Sequence, residues 1–237
     1  MARLPNGAAR QGPVKNVACI PSLYPHNQRL HANAAAARNL LAGDADIGAF
    51  TVDMVAHQAG VARMTVYYQF ESKRGLLEAL SDMLATRGLV GPLRDAFARP
   101  DPVDQLDGLV SAFCAFWASD RVVIRRLRSL AALDREIGQS VHARDQRRRD
   151  VLRTICDRLA AAGRAPAAAE TELDILHTLT SFEVYDMLAG TTRSEAETAQ
   201  LVARLVRNEL RVSAAPATPA RRPRRGRLRQ SSRNACD

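Results

Sequence analysis

Arg63, Met64, Thr65 and Tyr68 stand close together in the chain, and their side chains share one chemistry, the reading of a base-pair edge. A guanidinium carries paired N–H donors that match the O6 and N7 acceptors of guanine, while a thioether or a threonine methyl meets the methyl of thymine. Taken as a helix, these four residues spread around one exposed side and leave Val61, Val66 and Phe70 to pack. Lys73, with Lys15 one of the chain's two lysines, falls at the start of the next helical run, where free backbone N–H groups favour an anion. No catalytic residue is expected. There is no Ser/His/Asp set, GxGxxG, P-loop or HExxH, and the carboxylates have no motif around them. Cys19, Cys114, Cys156 and Cys236 form no CxxC or Cys/His cluster, so neither a metal site, a cofactor nor a disulfide framework is expected. Cys114 and Cys156 sit among apolar neighbours and read as core residues.

The elements that must position such a face are short and closely spaced. Val52, Val55, Ala56 and Ala59 follow the i, i+3, i+4, i+7 rule of one helical face. Thr51 is a sound N-cap with Asp53 in the first turn, and Gly60 supplies a left-handed stop with Val61 as a buried plug behind it. A second helix spans about 62–68. Ser72 then caps a longer one with Leu76, Leu77, Leu80, Met83 and Leu84 along a stripe. Two short helices across a tight glycine turn form a helix-turn-helix. An alanine-rich helix from about Arg29 to Ala42 precedes them. Gly91-Pro92 and Pro100-Asp101-Pro102 punctuate the change to a second region, where helical patterns cover about 103–118, 121–137, 140–162, 167–189 and 194–211. Breaks are expected at Ser119-Asp120, Gly138, 163–166 and 190–192. No alternating strand pattern appears, and the fold class is all-α.

The segment from Phe50 to Lys73 closely resembles the TetR (tetracycline-repressor-like) family signature. The resemblance rests on Thr51, Val55-Ala56, Ala59-Gly60-Val61, Thr65-Val66-Tyr67, Phe70 and Ser72-Lys73, followed by Leu76-Leu77. It implies a three-helix DNA-binding domain over 28–88 and a helical regulatory and dimerisation domain over 92–212. It further implies that Thr51, Tyr67 and Lys73 contact phosphates and set register, beside Arg63, Met64, Thr65 and Tyr68 as readers. Ala62 departs from the pattern, standing where a capping Ser is common. So do Gln69, in place of a common His, and Gly75, which lacks the Glu or Gln of a capping box.

From the same resemblance follow a homodimer, a pseudo-palindromic double-stranded operator and a small-molecule effector that releases a repressor from DNA. Phe113, Cys114, Phe116, Trp117, Leu130, His177, Phe182 and Tyr185 are candidates to line the effector pocket, with plain core packing the competing reading for each. Leu173, Leu176, Val184, Leu188, Leu201 and Leu205 are candidates for the dimer face, on the last two helices. A ligand-binding or scaffold protein of the same fold without specific DNA binding is the alternative, and an enzyme with an unrecognised site a more distant one.

The net charge of +9 is unevenly placed. Residues 1–91 carry 9 basic and 6 acidic side chains, residues 92–212 carry 18 of each, and residues 213–237 carry 7 arginines against Asp237. The arginines at 121, 125, 126 and 128, and at 144 and 147–149, are interleaved with carboxylates and read as solvated helix faces. No apolar run reaches the ~18 residues that cross a bilayer, and no signal peptide is visible, so no membrane partner is expected. A soluble cytoplasmic protein associated with the nucleoid is the expectation. Residues 1–27 read as a disordered extension and 213–237 as a flexible Arg/Pro-rich tail. If that tail adds sequence-independent affinity for phosphates, deleting 213–237 flattens the slope of log K against log salt by about 0.9 per lost phosphate contact. A binding titration over a salt series checks this, and an unchanged slope removes the role.

Overall fold

The computed structural model describes residues 25–43, 48, 50–168 and 170–212, all of them helical or in the connections between helices. The expected N-terminal extension lies outside these residues up to position 24, as does the Arg/Pro-rich tail. The helices are α1 (Pro25–Ala42), α2 (Val52–Ala59), α3 (Arg63–Phe70), α4 (Lys73–Gly88), α5 (Val90–Phe97) and α6 (Pro102–Ser119). They continue with α7 (Arg121–Leu133), α8 (Arg135–Ala161), α9 (Glu170–Leu179), α10 (Phe182–Ala189) and α11 (Glu195–Glu209). Two compact units emerge. One combines the described residues up to Leu84 with Arg126–Gly138, and the other combines Ala85–Arg125 with the described residues from Gln139 onward. No described helix is long and apolar enough to cross a membrane.

In the first unit, α1 begins at Pro25, upstream of the expected Arg29 and inside the expected extension. Its alanines have a packing role. Ala34, Ala36 and Ala37 are buried with Leu41, and α1 packs against α2; side chains this small let two helix backbones approach closely. Val55, Val66, Leu76, Leu80 and Leu84 complete the core. Val61, expected as a buried plug, is only half-buried. At the C-terminus of α1, Arg126 of α7 donates to the carbonyls of Leu41, at 3.1 Å, and Gly43.

The second unit is built around α6. Phe113, Phe116 and Trp117 are buried along it, and Trp117 packs at 4.9 Å from Phe116 and 5.7 Å, edge-on, from Phe182 of α10. Offset and edge-on geometries of this kind favour aromatic quadrupoles. Arg207 of α11 makes a bidentate pair with Asp107 of α6.

Three expected boundaries move, each for a physical reason. Gly91-Pro92 opens α5 instead of breaking the chain, because a proline in the first turn forfeits only an N–H that has no intrahelical partner. The break expected at Gly138 falls at Asp134, whose carboxylate accepts from the N–H of Glu136 at 2.9 Å and of Ile137 at 3.2 Å. Gly138 sits inside α8, where a Cβ would come within 2.9 Å of the Ala131 carbonyl oxygen. The single helix expected over 167–189 is two, parted at Thr180-Ser181: Ser181 caps α10 by accepting from Val184 N–H at 3.3 Å. The Thr180 carbonyl accepts from the Trp117 indole at 3.1 Å. Arg148, 5% exposed, bonds the Thr180 hydroxyl at 2.8 Å and the His177 carbonyl at 2.5 Å.

The arginine runs are correspondingly not simple solvated faces. Arg121 and Arg125 both grip Asp186 of α10, at 2.5 and 2.7 Å, and hydrogen bonds led by Arg125 hold that carboxyl below its ordinary range. Arg149 and Arg153 of α8 pair with Glu170 of α9 and pull its carboxyl down to about 2. Trp117→Phe keeps most of the apolar surface and strands the buried Thr180 carbonyl. Urea unfolding should show a loss of about 1–3 kcal/mol, and an unchanged midpoint would contradict the bond's role.

Candidate nucleic-acid interface

The expected base-reading residues all fall on α3, and its two sides differ sharply. Val66 and Phe70 are buried at 1% and 8% exposure, whereas Met64 and Tyr68 stand out at 56% and 81%. Arg63 is exposed and Thr65 and Tyr67 are half-buried.

α3 is held from outside, not from within. Ala62 is its N-cap residue and makes no side-chain cap bond, as the missing Ser leads one to expect. At the N-terminal side, Gly60 takes φ +66°, and its left-handed turn lets the N–H of Val61 bond Ala56 O at 3.0 Å. At the C-terminal side the chain turns through Glu71, also left-handed at φ 61°. Ser72 then starts α4 by accepting from Gly75 N–H at 3.1 Å. The absence of Glu or Gln at position 75 now has a cause. A Cβ there would overlap the Phe70 carbonyl oxygen, so only glycine lets α4 start this close to the end of α3. Gln69 is half-buried and accepts from the amide of Asn33 at 2.5 Å, tying α3 to α1. Asn33, 2% exposed, had no signal in the sequence, because an Asn in an alanine-rich helix, one of three in α1, reads as a neutral residue.

The expected phosphate contacts stand at the start of α2 (Thr51), on α3 (Tyr67) and at the start of α4 (Lys73). Thr51 is exposed and caps α2, accepting from Met54 N–H at 3.3 Å; its own hydroxyl proton stays available to a phosphate oxygen. The Lys73 ammonium lies 5.5 Å over the Phe50 ring, within cation–π range. Arg63 is engaged already: its Nε is 2.9 Å from Asp53 Oδ1, and its Nη2 donates to the Tyr67 hydroxyl at 3.4 Å. The Tyr67 hydrogen bond and then the Asp53 charge raise its pKa further.

The expected effector-pocket residues are only partly brought together. Phe113, Cys114, Trp117 and Tyr185 line a common gap with Val110, Leu179, Thr180, Ser181 and Val202, and the gap has no room for a water molecule. Burial pushes the Cys114 thiol up to about 12. Phe116 and Phe182 flank Trp117 behind that gap. Leu130 is buried in the first unit. His177 lies outside the gap, with Nε2 3.0 Å from the Asp145 carbonyl oxygen, and burial followed by the Arg148 charge lowers its pKa. Of the expected dimer face, Leu173 and Leu176 are buried within the chain itself, while Val184, Leu188, Leu201 and Leu205 are half-buried.

Two substitutions separate presentation from construction. Tyr68→Ala should leave stability within about 0.5 kcal/mol, as for exposed positions generally. Gly75→Ala should cost at least about 1–3 kcal/mol by forcing α3 and α4 apart. Thermal unfolding of both variants measures the contrast, and equal effects would contradict it.

Residues 34–80 match the model of bacterial regulatory proteins of the tetR family. No curated protein matches the chain. Among solved structures, a TetR transcription regulator from Haloarcula marismortui aligns over 78% of this chain and 97% of its own, with 17% identity and a TM-score of 0.63. GusR from Salmonella enterica aligns over 81% and 100%, with 15% identity and a TM-score of 0.65. A TetR-like transcriptional regulator from Rhodococcus sp. aligns over 78% and 98%, with 20% identity and a TM-score of 0.58. Residues 34–80 thus match the tetR family of bacterial regulatory proteins, and the chain as a whole is similar in fold to solved TetR-family transcriptional regulators.

Proposed function

We propose that this chain is a sequence-specific, DNA-binding transcriptional regulator, a homodimeric repressor that leaves a pseudo-palindromic operator when a small molecule binds its helical C-terminal domain. The observation that carries the reading is the face of α3: Arg63, Met64 and Tyr68 exposed, with Val66 and Phe70 sealed behind them. A recognition helix needs this division, because it enters the major groove with one side and is held by its neighbours with the other. Thr51, Tyr67 and Lys73 serve as phosphate anchors around it and fix register without reading sequence.

Pairing of two copies draws on the C-terminal helices. With Leu173 and Leu176 spent on the chain's own core, apolar surface remains at Met187, 73% exposed, and Ile175, 38% exposed, together with the half-buried Val184, Leu188, Leu201 and Leu205. The effector enters among Phe113, Trp117 and Tyr185. Because that region is closely packed, binding there must move side chains, and a ligand acts only through its different affinity for the closed and opened states.

The test is recovery of genomic fragments by the purified protein, coupled to sedimentation. The expected outcome is one or a few fragments sharing an inverted repeat, bound by a species of twice the chain mass. Uniform retention of all fragments, or a stable monomer at micromolar concentration, contradicts the proposal.

A further inference from the structure

Asp53 lies in the first turn of α2 and is more than half exposed, close to the face of α3 proposed to meet DNA. A carboxylate beside a phosphate backbone weakens binding, so its place there calls for a reason. It does not cap α2, because Thr51 does that. It contributes little to folding either, because its side chain and that of Arg63 are 55% and 58% exposed, and ion pairs so placed are screened by solvent.

The geometry of the pair supplies the reason. Arg63 has five N–H donors. Asp53 Oδ1 sits 2.9 Å from Nε, the Tyr67 hydroxyl sits 3.4 Å from Nη2, and the guanidinium carbon lies 5.2 Å from the centre of the Tyr67 ring. Tyr67 lies against Nη2, and Asp53 takes the Nε–H on the side edge of the guanidinium. Its terminal edge, made by Nη1 and the second N–H of Nη2, is the edge that pairs bidentately with guanine O6 and N7. The arginine side chain is therefore biased toward one orientation, and its charge is partly satisfied before any DNA arrives.

We propose that Asp53 is the specificity-determining positioning residue of the head: it orients Arg63 for a base edge and withholds it from backbone phosphates. This rests on the DNA-binding reading above. A phosphate is an anion, so its pairing with Arg63 is opposed by the neighbouring Asp53 carboxylate, whereas guanine is neutral and meets no such repulsion. Guanine accepts at the terminal edge and leaves the Asp53 contact intact. The carboxylate thus taxes non-specific binding more than specific binding.

The experiment selects duplexes from a random-sequence pool with the full-length wild type. It then measures affinity for the selected duplex and for an unselected one over a salt series. Asp53→Asn should bind the unselected duplex more tightly, lower the ratio of selected to unselected affinity about tenfold, and steepen the salt slope on unselected DNA by about one. Asp53→Glu, which can still reach Arg63, should keep the wild-type ratio. In an Arg63→Ala background, Asp53→Asn should leave the ratio unchanged. The role is overturned if Asp53→Asn weakens both duplexes equally while lowering the melting temperature, since that is what mere support of α2 would do. It is also overturned if the ratio falls to the same extent without Arg63. A wild type that prefers no duplex overturns the DNA reading itself and this role with it.

Discussion

The N-terminal unit depends on how α3, an eight-residue helix without a side-chain cap, is held in place. A helix as short as α3 is not stable alone in water, where about 12–15 residues are marginal even in favourable sequences. Its conformation is imposed by neighbours. Val66 and Phe70 are buried in the core of the first unit, each contributing on the order of 1.5–3 kcal/mol. Asn33 grips Gln69 from α1, and the glycine at 75 brings α4 up against the Phe70 carbonyl. Because the scaffold does this work, the outward residues of α3 are free of structural duty. That freedom is what allows Met64 and Tyr68 to remain exposed.

A second node organises the other unit. The break between α9 and α10 releases backbone groups in a buried place, and each meets a partner. The Trp117 indole takes the Thr180 carbonyl, and Arg148 takes the His177 carbonyl and the Thr180 hydroxyl. An unsatisfied group there would cost about 1–3 kcal/mol, so the kink and its partners stand or fall together. Thr180 and Trp117 also line the closed gap among Phe113, Cys114 and Tyr185. Entry of an effector there would bear directly on the kink, which gives the proposed ligand response a definite mechanical starting point.

The helix-turn-helix was readable from sequence because its signals are local. The Thr51 cap, the Gly60 stop and the apolar spacing of α2 act over three to seven residues, and the helix bounds of α2 follow them. What escaped reading depends on residues far apart in the chain. The partner that permits the break at Thr180 is Trp117, 63 residues away, so the stretch looked like one helix. The arginines of α7 resembled a solvated face because their acceptors, Asp186 and the end of α1, lie 61 to 85 residues away. Asp134 and Gly138 were confused with each other because a glycine reads as a stop by default, while at 138 it answers a close approach by the Ala131 carbonyl oxygen. In the site, Thr51 caps α2, Lys73 opens α4 and the other five head residues lie on α3, where Thr65 and Tyr67 are half-buried. Asp53, read only as a dipole partner, proved to be the ion-pair partner of Arg63.

The central claim is that α3 reads base edges in the major groove through Arg63. Guanine-N7 methylation protection on a duplex recovered by the protein tests it most directly, because N7 is reachable only from that groove. The account predicts protected guanines at symmetry-related positions of an inverted repeat, with protection lost at those guanines in Arg63→Ala. Unprotected N7 positions in a stably bound duplex, or a protection pattern unchanged by Arg63→Ala, would contradict it.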